Sequence, residues 1–339
     1  DFCLSRGLGD VYKRQVYEEV LAHEPTRQDL RRTAADLALG EGDFLRAARH
    51  LERLAHYRPD DGEVQNLLGQ CREALGDAEK AETAYRAAVA LDPHRVGAYV
   101  RLARLLRGPL GRGSDADDVM DALVAANDRD ASAYAERAAW RAATGSLDDA
   151  AKDAGRAREL DSDGARVLLT AADVAYRRGR PDDARAALRH GLERHPDDMA
   201  LRLALATLEL GAGRPKEAAD RLEQEREVLK DRKSPPDQAE LIHLLAEARL
   251  QLGETRAVEE LAAAERTAGR HGPAAYLTAR LQMHEGRWAE AARTLEESAR
   301  NSVLSLDQAV CTLLCLGECY AHLGDGDRRL GVLQQAAGY

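Results

Sequence analysis

The sequence predicts an all-α fold of stacked antiparallel helix pairs, an α-solenoid, and three spacings carry that prediction. Glycines suited to a turn fall at Gly42, Gly76, Gly111, Gly145, Gly179 and Gly213, in steps of 34, 35, 34, 34 and 34, and continue more loosely at Gly253, Gly286 and Gly324. Five residues after most of them stands an alanine: Ala47, Ala81, Ala116, Ala150, Ala184, Ala218 and Ala291, with Val258 and Arg329 as departures. Pro25, Pro59 and Pro93 are also 34 apart, and Pro196 keeps their phase. A period of this length marks one supersecondary unit that cannot bury its apolar face alone, so each unit stacks on the next. Glycine accepts the positive φ that ends one helix before another begins, alanine lets the second helix sit close on the first, and proline opens a helix but does not fit its interior.

The chain divides accordingly. Ser5 to Gln15 reads as an in-frame translation of a sequencing-library adapter, so residues 1–15 are set aside as a scar and the native amino terminus is expected to be missing. Val16 enters the pattern halfway through a unit, which makes residues 16–27 a partial repeat consisting of a second helix. Residues 28–233 hold about six repeats. In the second of these, Val64, Leu67, Leu68 and Cys71 fall at helical spacing, and after Gly76 so do Ala81, Ala84, Tyr85, Ala88 and Val89. The stretch from Gly108 to Ser114 lengthens one unit by a residue and predicts a mobile bump at its turn. An over-long second helix, from Ala218 to about Lys230, then runs into Lys230 to Asp237, where Pro235-Pro236 is expected to stop any helix before the next unit starts near Gln238. Residues 234–238 are thus a Pro-Pro break or hinge, a change of pitch rather than a domain boundary. Residues 239–339 hold about three more repeats, marked by Leu244, Leu245, Ala248 and Leu252, by Gly286-Arg287-Trp288 and by Leu316-Gly317-Glu318-Cys319-Tyr320; the last, ending at Gly338-Tyr339, reads as incomplete.

Leu68-Gly69, Gly76, Ala81, Tyr85, Ala88 and Asp92-Pro93 carry the signature of the tetratricopeptide repeat, and the chain resembles that family, in its bacterial form, over nearly its whole length. The resemblance implies a right-handed superhelix whose first helices line a concave groove, and a non-catalytic scaffold that binds a peptide or protein segment there. The groove positions it implies are Arg32, Asp36, Asn66, Gln70, Arg104, Arg107, Arg166, Asp173, Tyr176, Arg177, His243, Glu247, Tyr276 and Arg280. Relatives that clamp a chaperone tail carry Lys and Asn where Arg32 and Asp36 stand, so that clamp is not supported. Ser132, Ala135, Ala139 and Ala142 are small enough to leave an open floor between Arg104 and Arg107 on one side and Arg166, Tyr176 and Arg177 on the other, a wall suited to an extended segment carrying carboxylates. An alternative function is the recruiting arm of a larger enzyme, such as a glycosyltransferase or kinase, or of an envelope polysaccharide or secretion assembly.

Composition narrows the chemistry. Charged residues make up 32% and aromatics 4%, as suits layers that bury small side chains. A net charge of -10 opposes a phosphate-binding surface, so nucleic acid is not an expected partner. No uncharged run approaches the ~20 residues of a membrane helix. Phosphate-cradling glycine loops, His-Glu-x-x-His and a nucleophile elbow are all absent, and no catalytic residue, cofactor or metal is expected. Cys311, Cys315 and Cys319, followed by His322, suggest a metal site, but at a ~1.5 Å rise the outer two are about 12 Å apart on one helix, and core packing explains them better. Helix-face neighbours are also poor disulfide partners, which slightly favours a reducing, cytoplasmic setting over the periplasm. Asp117-Asp118, Asp148-Asp149 and Asp182-Asp183 are read as first-turn residues of second helices, where negative charge complements the helix dipole; Asp60-Asp61 and Asp197-Asp198 do the same for first helices. The histidines, mostly at unit junctions such as His94 and His195, are read as solvated helix-end residues.

Overall fold

All nine turn glycines of the ladder take a positive φ, between 64° at Gly111 and 91° at Gly145, and each closes one helix pair. A residue with a Cβ in that conformation costs roughly 1–2 kcal/mol, which is why the ladder admits only glycine. The computed structural model describes residues 16–229, 235–301 and 306–337, and among them every regular element is an α-helix. The adapter-like residues 1–15 and the Lys-rich stretch 230–234 lie outside the described residues.

The first of two compact units ends at Leu160. It opens with α1, residues 16–23, the second helix of a partial repeat. Four helix pairs follow: α2 (Gln28–Gly40) with α3 (Phe44–Tyr57), α4 (Gly62–Ala74) with α5 (Ala78–Leu91), α6 (Val96–Arg107) with α7 (Gly113–Ala126), and α8 (Ala131–Ala143) with α9 (Leu147–Leu160). The second unit begins at Asp161 and holds α10 (Ala165–Arg177) with α11 (Pro181–Arg194), α12 (Met199–Gly211) with α13 (Pro215–Leu229), α14 (Pro235–Gln251) with α15 (Thr255–Thr267), α16 (His271–His284) with α17 (Trp288–Asn301), and α18 (Leu306–His322) with α19 (Gly326–Ala337). The division therefore falls at Asp161-Ser162-Asp163-Gly164, where the Asp161 carboxylate accepts from the backbone N–H of Asp163 and Gly164, and not at the paired prolines.

Helix starts follow from caps. Asp43, Asp61, Asp130 and Asp198 each accept from a backbone N–H of the helix they precede. Pro181 and Pro215 open α11 and α13, where a missing N–H costs nothing. The same physics moves the start expected near Gln238: α14 begins at Pro235, so both prolines sit in its first turn. The lengthened turn at Gly108 to Arg112 is closed by backbone bonds from Leu110 to Leu105 and from Arg112 to Leu106, an ordered link between α6 and α7. Gly269 adds a tenth positive φ, 75°, between α15 and α16, outside the ladder and at a junction between repeats.

Within each unit, every second helix packs on its own first helix and on the first helix of the following repeat. First helices also touch one another, α6 with α8 in the first unit and α10, α12, α14, α16 and α18 in succession in the second, while packing between neighbouring second helices is sparser. First helices thus lie on the inner side of each stack. The ladder alanines Ala47, Ala81, Ala116, Ala150 and Ala218 are fully buried, as is Val258, one of the two departures, whereas the other, Arg329, is exposed. Gly69 shows why the repeat needs small residues: a Cβ there would come within 2.6 Å of the Tyr85 ring.

Candidate functional site

On the inner side of the first unit, most of the charge is already spoken for. Arg32 donates to Asp36 at 3.1 Å on its own helix and to Glu63 of α4 at 2.5 Å. Asn66 and Gln70 follow on α4, both half-buried. Arg104 of α6 differs. It is exposed, it has no ion pair among the described residues, and the equivalent places on the adjoining first helices hold Gln70 and Ala139, neither of which can neutralise it. Arg107, one turn on, lies 5.4 Å over the Trp140 ring and 3.5 Å from Asp117, which in turn accepts from Trp140 Nε1 at 2.7 Å. A basic and aromatic patch therefore exists on α6 and α8. Its floor is not as the sequence suggested: Ala135 and Ala142 are 0% and 4% exposed, because their small size lets helices close over them, leaving only Ser132 exposed and Ala139 half-buried.

Behind this patch lies a network that sequence reasoning missed. Asp153 of α9, 4% exposed, accepts from Arg137 at 2.8 and 2.9 Å and from Arg141 at 2.8 Å. Both arginines also reach Asp121 of α7 at 2.9 Å, so one pair of guanidiniums ties α7, α8 and α9 together. The signal was available in Arg137 and Arg141, four apart on one helix face, but nothing in the periodicity says which acids they meet.

In the second unit, Arg177 pairs with Asp173 at 2.9 Å on α10, and Arg166 is exposed. Tyr176, 48% exposed, rests its hydroxyl against the backbone of α12, where a Cβ on Gly211 would come within 2.9 Å of it. The remaining four expected positions come together. The His243 and Tyr276 rings lie 4.9 Å apart, with Tyr276 Oη 3.5 Å from His243 Nε2, and Arg280 bonds Glu247. Two residues of α18 extend the group beyond what the sequence assigned: Cys315 Sγ lies 3.7 Å from Tyr276 Oη, and Glu318 lies 3.9 Å from Arg280. Burial pushes the Tyr276 hydroxyl well above its usual range, with Cys315 adding to the effect, and it also raises the Cys315 thiol. Burial, then Arg280, holds His243 below the usual imidazole range.

Cys71 and Cys319 are core residues, fully buried in separate apolar clusters, and burial raises both thiols to about 11. Two other expectations need correction. Asp148-Asp149 and Asp182-Asp183 do sit in first turns, but α7 starts at Gly113, so Asp117 falls in its second turn and serves Trp140 and Arg107 instead. Nor are the junction histidines merely solvated: His94 Nδ1 meets Asn127 at 2.9 Å, and His195 Nε2 meets the Asp163 carbonyl at 2.7 Å, each linking one repeat to the next. His50 is buried against Glu18 at 3.0 Å. Among the described residues, no helix is long and apolar enough to cross a membrane.

A sequence profile of the tetratricopeptide repeat matches residues 32–96 and 169–228. No curated protein sequence matches the chain at a significant level. Among solved structures, yeast Tom70 is similar at 17% identity and a TM-score of 0.60, over 89% of this chain and 63% of the Tom70 chain, so the chain spans less than two thirds of that relative. A tetratricopeptide repeat protein from Parabacteroides merdae is similar at 15% identity and a TM-score of 0.51, over 89% of this chain and 99% of its own. Both likenesses are of fold.

Proposed function

The chain is a tetratricopeptide-repeat protein, and we propose that it is a non-catalytic scaffold whose first unit captures an extended protein segment carrying carboxylates on the inner faces of α6 and α8. Tetratricopeptide repeats in general bind protein partners and do so without catalysis. The observation that carries the finer reading is Arg104, an exposed guanidinium with no ion pair among the described residues, in a chain whose net charge is -10 and whose other inner-face arginines mostly hold acids already. An arginine fork matches a carboxylate with two parallel charge-assisted hydrogen bonds. Beside it, Arg107 stacked on Trp140 offers a flat, rigid surface on which an apolar or aromatic side chain of the segment can lie. Such anchors are the residue types that dominate protein interfaces.

The test is a charge reversal. Arg104→Glu in the full chain should weaken capture of a fluorescent Glu/Asp-rich peptide by about 2 kcal/mol or more, roughly thirtyfold, while helicity and melting stay unchanged because the residue is exposed. Equal affinity of the two proteins for that peptide would remove the α6 face as its binding site.

A further inference from the structure

Counting back from the turn glycines Gly253, Gly286 and Gly324 puts His243, Tyr276 and Leu314 at the same place, ten residues earlier, in α14, α16 and α18. Six residues before the same glycines stand Glu247, Arg280 and Glu318. The two places are four apart on each helix, so they form adjacent columns on one face, and the side-chain contacts follow the columns. His243 meets Tyr276 in the first, while Arg280 lies between Glu247 and Glu318 in the second.

The columns are not equally closed. Arg280 is 22% exposed and Glu247 28%, but Glu318 is 51% exposed and 3.9 Å from its cation, and Leu314, one turn before it, is 50% exposed. Two carboxylates thus face one guanidinium, and His243, kept from its charged form by burial, does not redress the balance. An aromatic and leucine column bordered by excess negative charge is the reverse of the Arg104 patch in the first unit.

We infer that the inner face of α14, α16 and α18 is a second binding site, taking a protein segment that presents an apolar side chain beside a lysine or arginine. The apolar group covers Leu314 and the edge of the Tyr276 ring, and the cation takes the loosely held carboxylate of Glu318, leaving Arg280 to Glu247. Covering half of a leucine and desolvating a carboxylate only where a cation replaces its water is the balance such a surface requires. The site rests on the reading that first helices carry recognition, but not on the Arg104 site.

The experiment uses the full chain and two fluorescent peptides, one alternating leucine with lysine and one alternating leucine with glutamate. Glu318→Lys and Leu314→Ser should each weaken the Leu-Lys peptide about tenfold, Arg104→Glu should leave it unchanged, and its affinity should fall with salt. Both altered side chains are about half exposed, so melting should stay at the parent value, and Glu318→Gln gives a milder check of the charge. Four outcomes would overturn the site: equal binding by all variants; equal binding of the two peptides by the Arg104→Glu variant; loss of the Leu-Lys peptide on Arg104→Glu; or a self-association of the chain that Leu314→Ser abolishes, which would assign the face to a second copy. Loss of Leu-Glu binding on Arg104→Glu alone would bear on the first unit's site and leave this one standing.

Discussion

At the scale of single residues, the repeat is a set of distance requirements, and they can be tested by pairing glycines. Gly69→Ala drives a methyl to within 2.6 Å of the Tyr85 ring, so it should cost about 1–3 kcal/mol. Gly155 is exposed inside α9, and a methyl added there would meet nothing within 4 Å, so Gly155→Ala should stabilise by about 0.5–1 kcal/mol; denaturant melts of the two variants check both signs. His50 supplies a pH dependence. Burial lowers its pKa despite the Glu18 carboxylate, so the unfolded chain binds the proton more readily than the folded one. Its contribution is therefore whole above the ordinary imidazole value of about 6.5 and is lost as pH falls below it. Wild-type stability should drop more steeply between pH 7 and pH 5 than that of His50→Gln; parallel pH profiles would refute this. Glycine and alanine were legible in the sequence because their roles depend on size and backbone alone. His50 was not, since nothing local announces that α1 places Glu18 over it.

At the scale of elements, the link between helices is partly apolar and partly ionic, and the ionic part is concentrated at Asp153. Removing one member of a buried pair strands the others, so Asp153→Ala should cost about 3–5 kcal/mol, and Asp153→Asn less because it still accepts hydrogen bonds. A loss below 1 kcal/mol in thermal or urea unfolding would show that Asp121 alone suffices for Arg137 and Arg141. The same scale explains why the binding faces were only half readable. Position in the repeat identified which residues share a face, and His243, Glu247, Tyr276 and Arg280 do meet. Periodicity could not say that Arg32 and Arg177 would be engaged by Asp36 and Asp173 while Arg104 would not, because that depends on side chains one turn or one repeat away. Irregular steps hid the rest: with 38 residues between Gly286 and Gly324, Leu314 and Glu318 fall out of a fixed 34-residue count. Gly269 was missed for the same reason, since it closes a junction that other repeats make without a glycine turn.

At the scale of the whole molecule, the helix pairs and their order were readable, because each repeat buries its face on its neighbour and so repeats the same constraints. The exception is the division into two units at Leu160, which carries no proline or composition shift to mark it. Nearest-neighbour packing predicts broad or staged unfolding, and Asp153→Ala should lower the transition of the first unit while leaving that of residues 161–337 in place. A single calorimetric transition that shifts as a whole would contradict that independence. The central claim is that recognition belongs to the first helices, and the most direct test is site-specific photo-crosslinking. A photoreactive residue at Ser132, exposed on α8, should form adducts with captured protein from a native extract, and one at Lys152 or Arg156, exposed on α9, should form few. Adducts confined to the α9 positions would place recognition on the second helices and contradict the account.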